Sequence, residues 1–105
     1  MSVIAFSRAH FVGIGGSGMS GIARIMAARG LTVSGSDQHE SALLDGLRAL
    51  GVATFIGHDR AHLGSAEVII RSSAIADNNV ELVAARDLGI PILDRAAALA
   101  QLMVG

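Results

Sequence analysis

Four glycines in six residues, Gly13-Ile14-Gly15-Gly16-Ser17-Gly18, carry the strongest chemical signal in this chain. They satisfy G-x-G-x-x-G, after the apolar run His10-Phe11-Val12-Gly13-Ile14 and before an amphipathic stretch that starts at Met19. The pattern therefore reads as a strand–loop–helix junction that binds a nucleotide diphosphate. Glycine suits each place for its own reason. Gly13 permits the tight turn, Gly15 lets backbone approach a phosphate with no Cβ between, and Gly18 lets the helix pack close to the strand. Free N–H groups of the first helical turn would face the anion, and the helix dipole would add partial positive charge. A loop used for packing alone has no need of four glycines, whose freedom costs entropy on folding.

Asp37 closes the second apolar run, 19 residues beyond Gly18. In a doubly wound sheet such a carboxylate lies beside the nucleotide and accepts from ribose hydroxyls; alternatively, Ser36 or Asp37 merely starts the next helix. Ser72 and Ser73 follow a fourth apolar run and fall on the same rim, to reach a phosphate or sugar or to form an ordinary serine turn. Arg71 either helps neutralise a diphosphate or pairs with a surface carboxylate. His58 ends the third run and would touch a ligand on the rim. His58 and His62 are four apart, a spacing that suits a metal on a helix face. The segment His58-Asp59-Arg60-Ala61-His62 lacks the Glu of a zinc protease, and no third ligand stands nearby, so no metal site is expected. His10 and His39 read as solvated. No order or spacing of Ser, His and Asp argues for a nucleophilic triad.

Composition narrows the classes. The 105 residues make one small domain, 51% hydrophobic, with a net charge of −1, which excludes a strongly basic nucleic-acid surface. All eight basic residues are Arg, so no lysine chemistry is available. The absence of Cys removes disulfides, thiolate nucleophiles and Cys-type zinc sites. Three Phe, with neither Trp nor Tyr, do not make a base-stacking platform. No apolar run approaches the roughly 18–20 residues that span a bilayer, and no secretory signal is legible. A cytoplasmic protein without membrane or nucleic-acid partners is the expectation.

The elements that must position these residues follow from periodicity. Residues 1–8 read as a leader. Strands are expected over His10–Ile14, Leu31–Gly35, Val52–Ile56, Ala66–Arg71 and Pro91–Leu93, the last at an edge because of its proline. Helices are expected over Met19–Arg29, Ser41–Leu50, Asn79–Leu88 and Ala96–Met103, with one helical turn at Arg60–Leu63. Ile22 and Ile25 share a face of the first helix with Gly18. Leu43, Leu44, Leu47 and Leu50 point inward from the second, and Val80, Val83, Ala84 and Leu88 are the apolar set of the third. Gly30, Gly51 and Gly89 each stop a helix directly before an apolar run, the punctuation of repeated β-α-β units. Right-handed crossovers then give a Rossmann-like, doubly wound α/β sheet of about five parallel strands with helices on both faces.

Within this frame, His10-Phe-Val-Gly-Ile-Gly-Gly-Ser-Gly-Met-Ser-Gly-Ile-Ala23 resembles the opening of the Mur ligases. Val33-Ser-Gly-Ser-Asp37, Ile56-Gly-His-Asp59, Ser72-Ser-Ala-Ile75, Gly89-Ile-Pro91 and Arg95 to Met103 fall in the same order at similar spacing. The likeness covers residues 9–105 and is strongest to the branch that joins L-alanine to UDP-N-acetylmuramate. It implies the first of three domains, a Rossmann-like UDP-binding domain over 9–105, with the ATP and C-terminal domains outside it. The family phosphorylates the muramoyl carboxylate with ATP and Mg²⁺; the L-alanine amine then attacks the acyl phosphate and releases phosphate. By resemblance, Gly15, Gly16, Ser17, Gly18 and Met19 surround the diphosphate, and Asp37 faces the uridine. Ser72, Ser73 and Ala74 approach the phosphates or sugar, with His58 nearby. Arg71 departs from the small or apolar residue that the family carries before its serine pair. The family's ATP loop, Gly-Thr-His-Gly-Lys-Thr, does not occur here. These residues alone are therefore expected to hold no cofactor and no catalytic residue, and to meet L-alanine and ATP only through the other domains. On residue chemistry alone, an NAD-binding domain of an oxidoreductase and a non-catalytic nucleotide sensor remain open.

Overall fold

A computed structural model describes residues 6–16 and 18–103. In chain order the elements are β1 (Arg8–Val12), α1 (Met19–Ala28), β2 (Thr32–Asp37), α2 (Ala42–Ala49), β3 (Ala53–Ile56), a 3₁₀ turn (Arg60–Leu63), β4 (Val68–Arg71), α3 (Val80–Leu88), β5 (Ile92–Leu93) and α4 (Arg95–Met103). Among the described residues the strands form one sheet in the order β3-β2-β1-β4-β5, every neighbouring pair parallel. β5 lies at an edge, as its proline implied. The sheet reverses its winding between β1 and β4, so the loops that follow these two strands flank the switch point.

Alternation along the strands sends side chains to two cores. Phe11 of β1 and Ile70 of β4 meet Met19, Ile22 and Met26 of α1, Leu44 and Leu47 of α2, and Leu102 of α4. Val12 and Ile69 face the other way, toward Leu63, Leu82, Ala84 and Ala85. Helices thus cover both faces; Gly89 directly follows α3, and Gly30 and Gly51 follow α1 and α2 after one intervening residue each.

The inward set of α2 needs correction, and several apolar residues of α1 and α3 are not in the core. Ile25, Leu43, Leu50, Val80, Val83 and Leu88 are exposed. On α2 the buried stripe runs through Leu44 and Leu47, and Leu43 and Leu50 sit on its shoulders. α3 is turned so that Glu81, Leu82, Ala84 and Ala85 face inward and the valines face solvent, because the surface it covers is polar at one end. At the N-terminus, residues 1–5 of the expected leader lie outside the described residues. Phe6 packs against the first core, the amides of Ser7 and Arg8 donate to Glu67 Oε1, and β1 starts at Arg8 rather than His10.

Candidate functional site

The glycine loop is fastened to the end of β2. The N–H groups of Gly13 and Ile14 both donate to the Ser36 carbonyl, at 2.8 and 3.0 Å. Gly13 makes this turn with φ of 81°, a left-handed conformation that a side chain strains. Ile14 is fully buried against β2, and a Cβ at Gly35 would lie 2.7 Å from Ile14 Cβ, so the strand must be bare there. Asp37, next in β2, reaches back: its Oδ2 accepts from Gly15 N at 2.8 Å, and its Oδ1 accepts from His39 N at 3.2 Å. A Cβ at Gly15 would lie 2.9 Å from Asp37 Oδ2, and one at Gly16 would lie 2.9 Å from Ser72 Oγ. The absent side chains therefore let the loop close on both neighbours at once.

Gly13, Gly15, Gly16, Asp37, Ser72 and Ala74 converge on one cleft of about 230 Å³ at the carboxyl ends of β1, β2 and β4. His39, exposed as expected, also lines it. Met19 and Ser73 line an adjoining cleft that shares Ser72. Ser17 lies outside the described residues. Gly18 has a different role from the one expected. It is exposed, caps α1 with φ of 76°, and its missing Cβ makes room for the Arg95 side chain rather than for a strand. The loop amides are also less available than the motif suggests. Besides those of Gly13, Ile14 and Gly15, the Gly16 amide donates to Gly13 O and the Met19 amide to Gly16 O.

Two candidates turn away from this cleft. Arg71 donates to the Asp77 carboxylate and the Ile75 carbonyl, and this hydrogen bond holds the Asp77 carboxyl below its ordinary range. Of the two readings of Arg71, the structure shows the surface ion pair. His58 lines a separate groove with Asp59, Arg60 and Val80, and its Nδ1 lies 2.9 Å from Ser36 Oγ.

Sequence reasoning missed the group that organises His58. Glu81 of α3 is fully buried. Its Oε1 lies 2.6 Å from His10 Nε2 and accepts from Ser36 Oγ at 2.8 Å. Its Oε2 accepts from the Asp59 amide at 3.1 Å and lies 2.9 Å from His62 Nδ1, with His58 Nδ1 at 3.4 Å. Because the single Ser36 proton goes to Glu81, His58 Nδ1 donates to Ser36. His10 is buried, not solvated, and its Nδ1 pairs with Ser34 Oγ at 2.7 Å. Burial pushes the Glu81 carboxyl up, but the hydrogen bonds from His10, His62 and Ser36 outweigh it and hold the pKa at about 2. The histidines four apart are thus joined through a carboxylate. Among the described residues no group of three or more His, Cys, Asp or Glu is placed to hold a metal ion. A histidine inside the apolar run of β1 was the one local sign of this network.

Strand order, glycine loop and the carboxylate at the end of β2 together define a Rossmann-like α/β domain with its cleft at the switch point. Residues 8–105 match the Mur ligase family, catalytic domain, and the chain belongs to that family. It is 56% identical over 102 residues to UDP-N-acetylmuramate–L-alanine ligase of Streptomyces coelicolor, covering 96% of this chain and 22% of the relative. To the ligase of the same name from Thermobifida fusca it is 50% identical over 105 residues, 100% of this chain and 22% of the relative. The crystal structure of UDP-N-acetylmuramate–alanine ligase from Thermotoga maritima superposes with a TM-score of 0.86 at 34% identity, covering 91% of this chain and 22% of that one. UDP-N-acetylmuramate:L-alanyl-gamma-D-glutamyl-meso-diaminopimelate ligase from Neisseria meningitides gives 0.81 at 31% identity, over 94% and 32%. The chain spans about a fifth of the length of these curated relatives. Among the described residues no helix is long and apolar enough to cross a membrane.

Proposed function

We propose that this chain is the N-terminal, UDP-binding domain of a cytoplasmic ligase that joins L-alanine to UDP-N-acetylmuramate in building cell-wall precursor. The observation that carries the reading is the convergence of the glycine loop, Asp37 and the Ser72–Ala74 turn on one cleft at the switch point. In it the diphosphate lies along Gly15 to Met19 and beside Ser72, Ser73 and Ala74. Asp37, anchored by Gly15 N, keeps further lone pairs for the uridine ribose. The names of the curated relatives supply the substrate, and residue chemistry supplies a place for it.

In the whole enzyme, the muramoyl carboxylate oxygen takes the terminal phosphoryl group of ATP and ADP leaves. The L-alanine nitrogen then attacks the carbonyl carbon, phosphate departs, and the amine loses a proton. The family's lysine-bearing ATP loop does not occur in this sequence, which contains no lysine, and the buried carboxylate Glu81 is occupied by hydrogen bonds within the protein. This chain's share of the work is to bind and orient the nucleotide. Incubated with ATP, L-alanine and UDP-N-acetylmuramate, it is expected to release no ADP. Steady ADP turnover in a coupled assay contradicts that division of labour.

The binding claim is tested by calorimetric titration with UDP-N-acetylmuramate, UDP and NAD. Heat from the two uridine ligands with none from NAD is the expected pattern. Saturation by NAD alone identifies an oxidoreductase-type domain instead.

A further inference from the structure

A diphosphate brings at least two negative charges to a loop whose described amides are largely committed within the protein. A cation at the cleft would offset part of that charge, and most arginines are engaged elsewhere. Arg8, Arg48 and Arg71 face carboxylates, and Arg29 and Arg86 donate to the carbonyls of Leu102 and Asp77. Arg24 lies against Gly46 of α2, and Arg60 lines the His58 groove.

Arg95 is different. Its side chain lies across the start of α1, where a Cβ on Gly18 would come within 2.8 Å of Arg95 Cδ and 3.3 Å of Nη1. Among the described residues it makes no hydrogen bond or ion pair. With Met19, Ser72, Ser73 and Asp94 it lines a cleft of about 260 Å³ that shares Ser72 with the loop cleft. Asp94 is the opposing charge there, but its Oδ1 already accepts from Ala97 N at 2.8 Å. Arg95 is also the first residue of α4 and leans on the first turn of α1, and neither helix has an acid in its first turn. Asp94 caps α4, whereas the start of α1 has neither an acid in its first turn nor a side-chain cap, so an anion placed between Arg95 and that helix end is favoured by both. Ser72 supplies a second, independent sign. It is 7% exposed, its Oγ accepts from Ala74 N at 3.2 Å, and its proton has no acceptor among the described residues.

We propose that Arg95 is a further substrate-binding residue, whose guanidinium, with the Ser72 hydroxyl, grips the diphosphate from the α4 side of the glycine loop. The inference rests on the uridine-nucleotide reading above. The planar fork of arginine matches two phosphate oxygens at once, which a lysine cannot do.

The test is calorimetry on this chain and on Arg95→Ala and Arg95→Lys, with UDP and with uridine as ligands. Arg95→Ala is expected to weaken UDP at least about tenfold, the scale of charge-assisted hydrogen bonds, and to leave uridine unchanged. UDP affinity should also fall less steeply with added salt in Arg95→Ala than in the parent chain, and Arg95→Lys should recover only part of the loss. Arg95 is exposed, so thermal midpoints within a few degrees of the parent are expected and serve as the folding check. Unchanged UDP affinity in Arg95→Ala, with clear binding by the parent, overturns this role and leaves the nucleotide reading standing. Equal loss of UDP and uridine also overturns it. No UDP binding by the parent chain overturns both.

Discussion

Glu81→Ala is expected to destabilise the domain by about 3–5 kcal/mol, because each hydrogen bond to a buried carboxylate is worth about 1.5–3 kcal/mol and its loss leaves buried donors unpaired. The carboxylate satisfies donors from β1, β2, the segment after β3 and the 3₁₀ turn, and its loss leaves the fully buried His10 ring nitrogen without its acceptor. For a domain of this size each kcal/mol moves the thermal midpoint by about 4–8 °C, so a fall of at least about 12 °C is expected in a calorimetric or circular-dichroism melt. A fall of only a few degrees would show that the network contributes little. The same carboxyl sets an acid limit. Its pKa in the fold lies below its ordinary value of 4.5, at about 2. Its stabilisation is therefore fully present above about 4.5 and is lost as pH falls toward 2. Glu81→Gln removes the titrating group, so its midpoint should depend less on pH across that window than the parent's.

Gly15→Val is the second large effect, and it falls on binding. The new Cβ would stand 2.9 Å from Asp37 Oδ2, so the carboxylate must leave the Gly15 amide. The branched methyls would occupy the cleft meant for the diphosphate. Each charge-assisted hydrogen bond so displaced is worth about 1.5–3 kcal/mol, so UDP affinity should fall at least about tenfold for a single lost bond and further for two. A folded Gly15→Val variant that binds UDP as tightly as the parent would remove the loop from the site.

Much of the frame was legible because its signals are local. A glycine directly before an apolar run marks the end of α1, α2 and α3, and the loop after β1 carries its own motif. Strand starts were less legible: β1 begins at the exposed Arg8, which hydrophobicity does not mark. Helix faces were misread in two ways: on α2 the apolar stripe is wider than the buried one, and α3 covers a surface that is polar at one end. Glu81 on α3 could not be assigned inward from its neighbours, because its partners His10, Ser36 and His62 lie 71, 45 and 19 residues away in sequence. The site divides the same way. The residues converging on the loop cleft were named from the motifs, whereas Arg95 gains meaning only when α4 folds back across Gly18.

The two margins of the sheet carry a consequence for behaviour at high concentration. β3 offers four residues and β5 only two, with Pro91 directly before it. A foreign strand needs a longer row of open amides and carbonyls to template on. The domain therefore resists fibril-like stacking of one copy on another, although its interior is rich in valine and isoleucine.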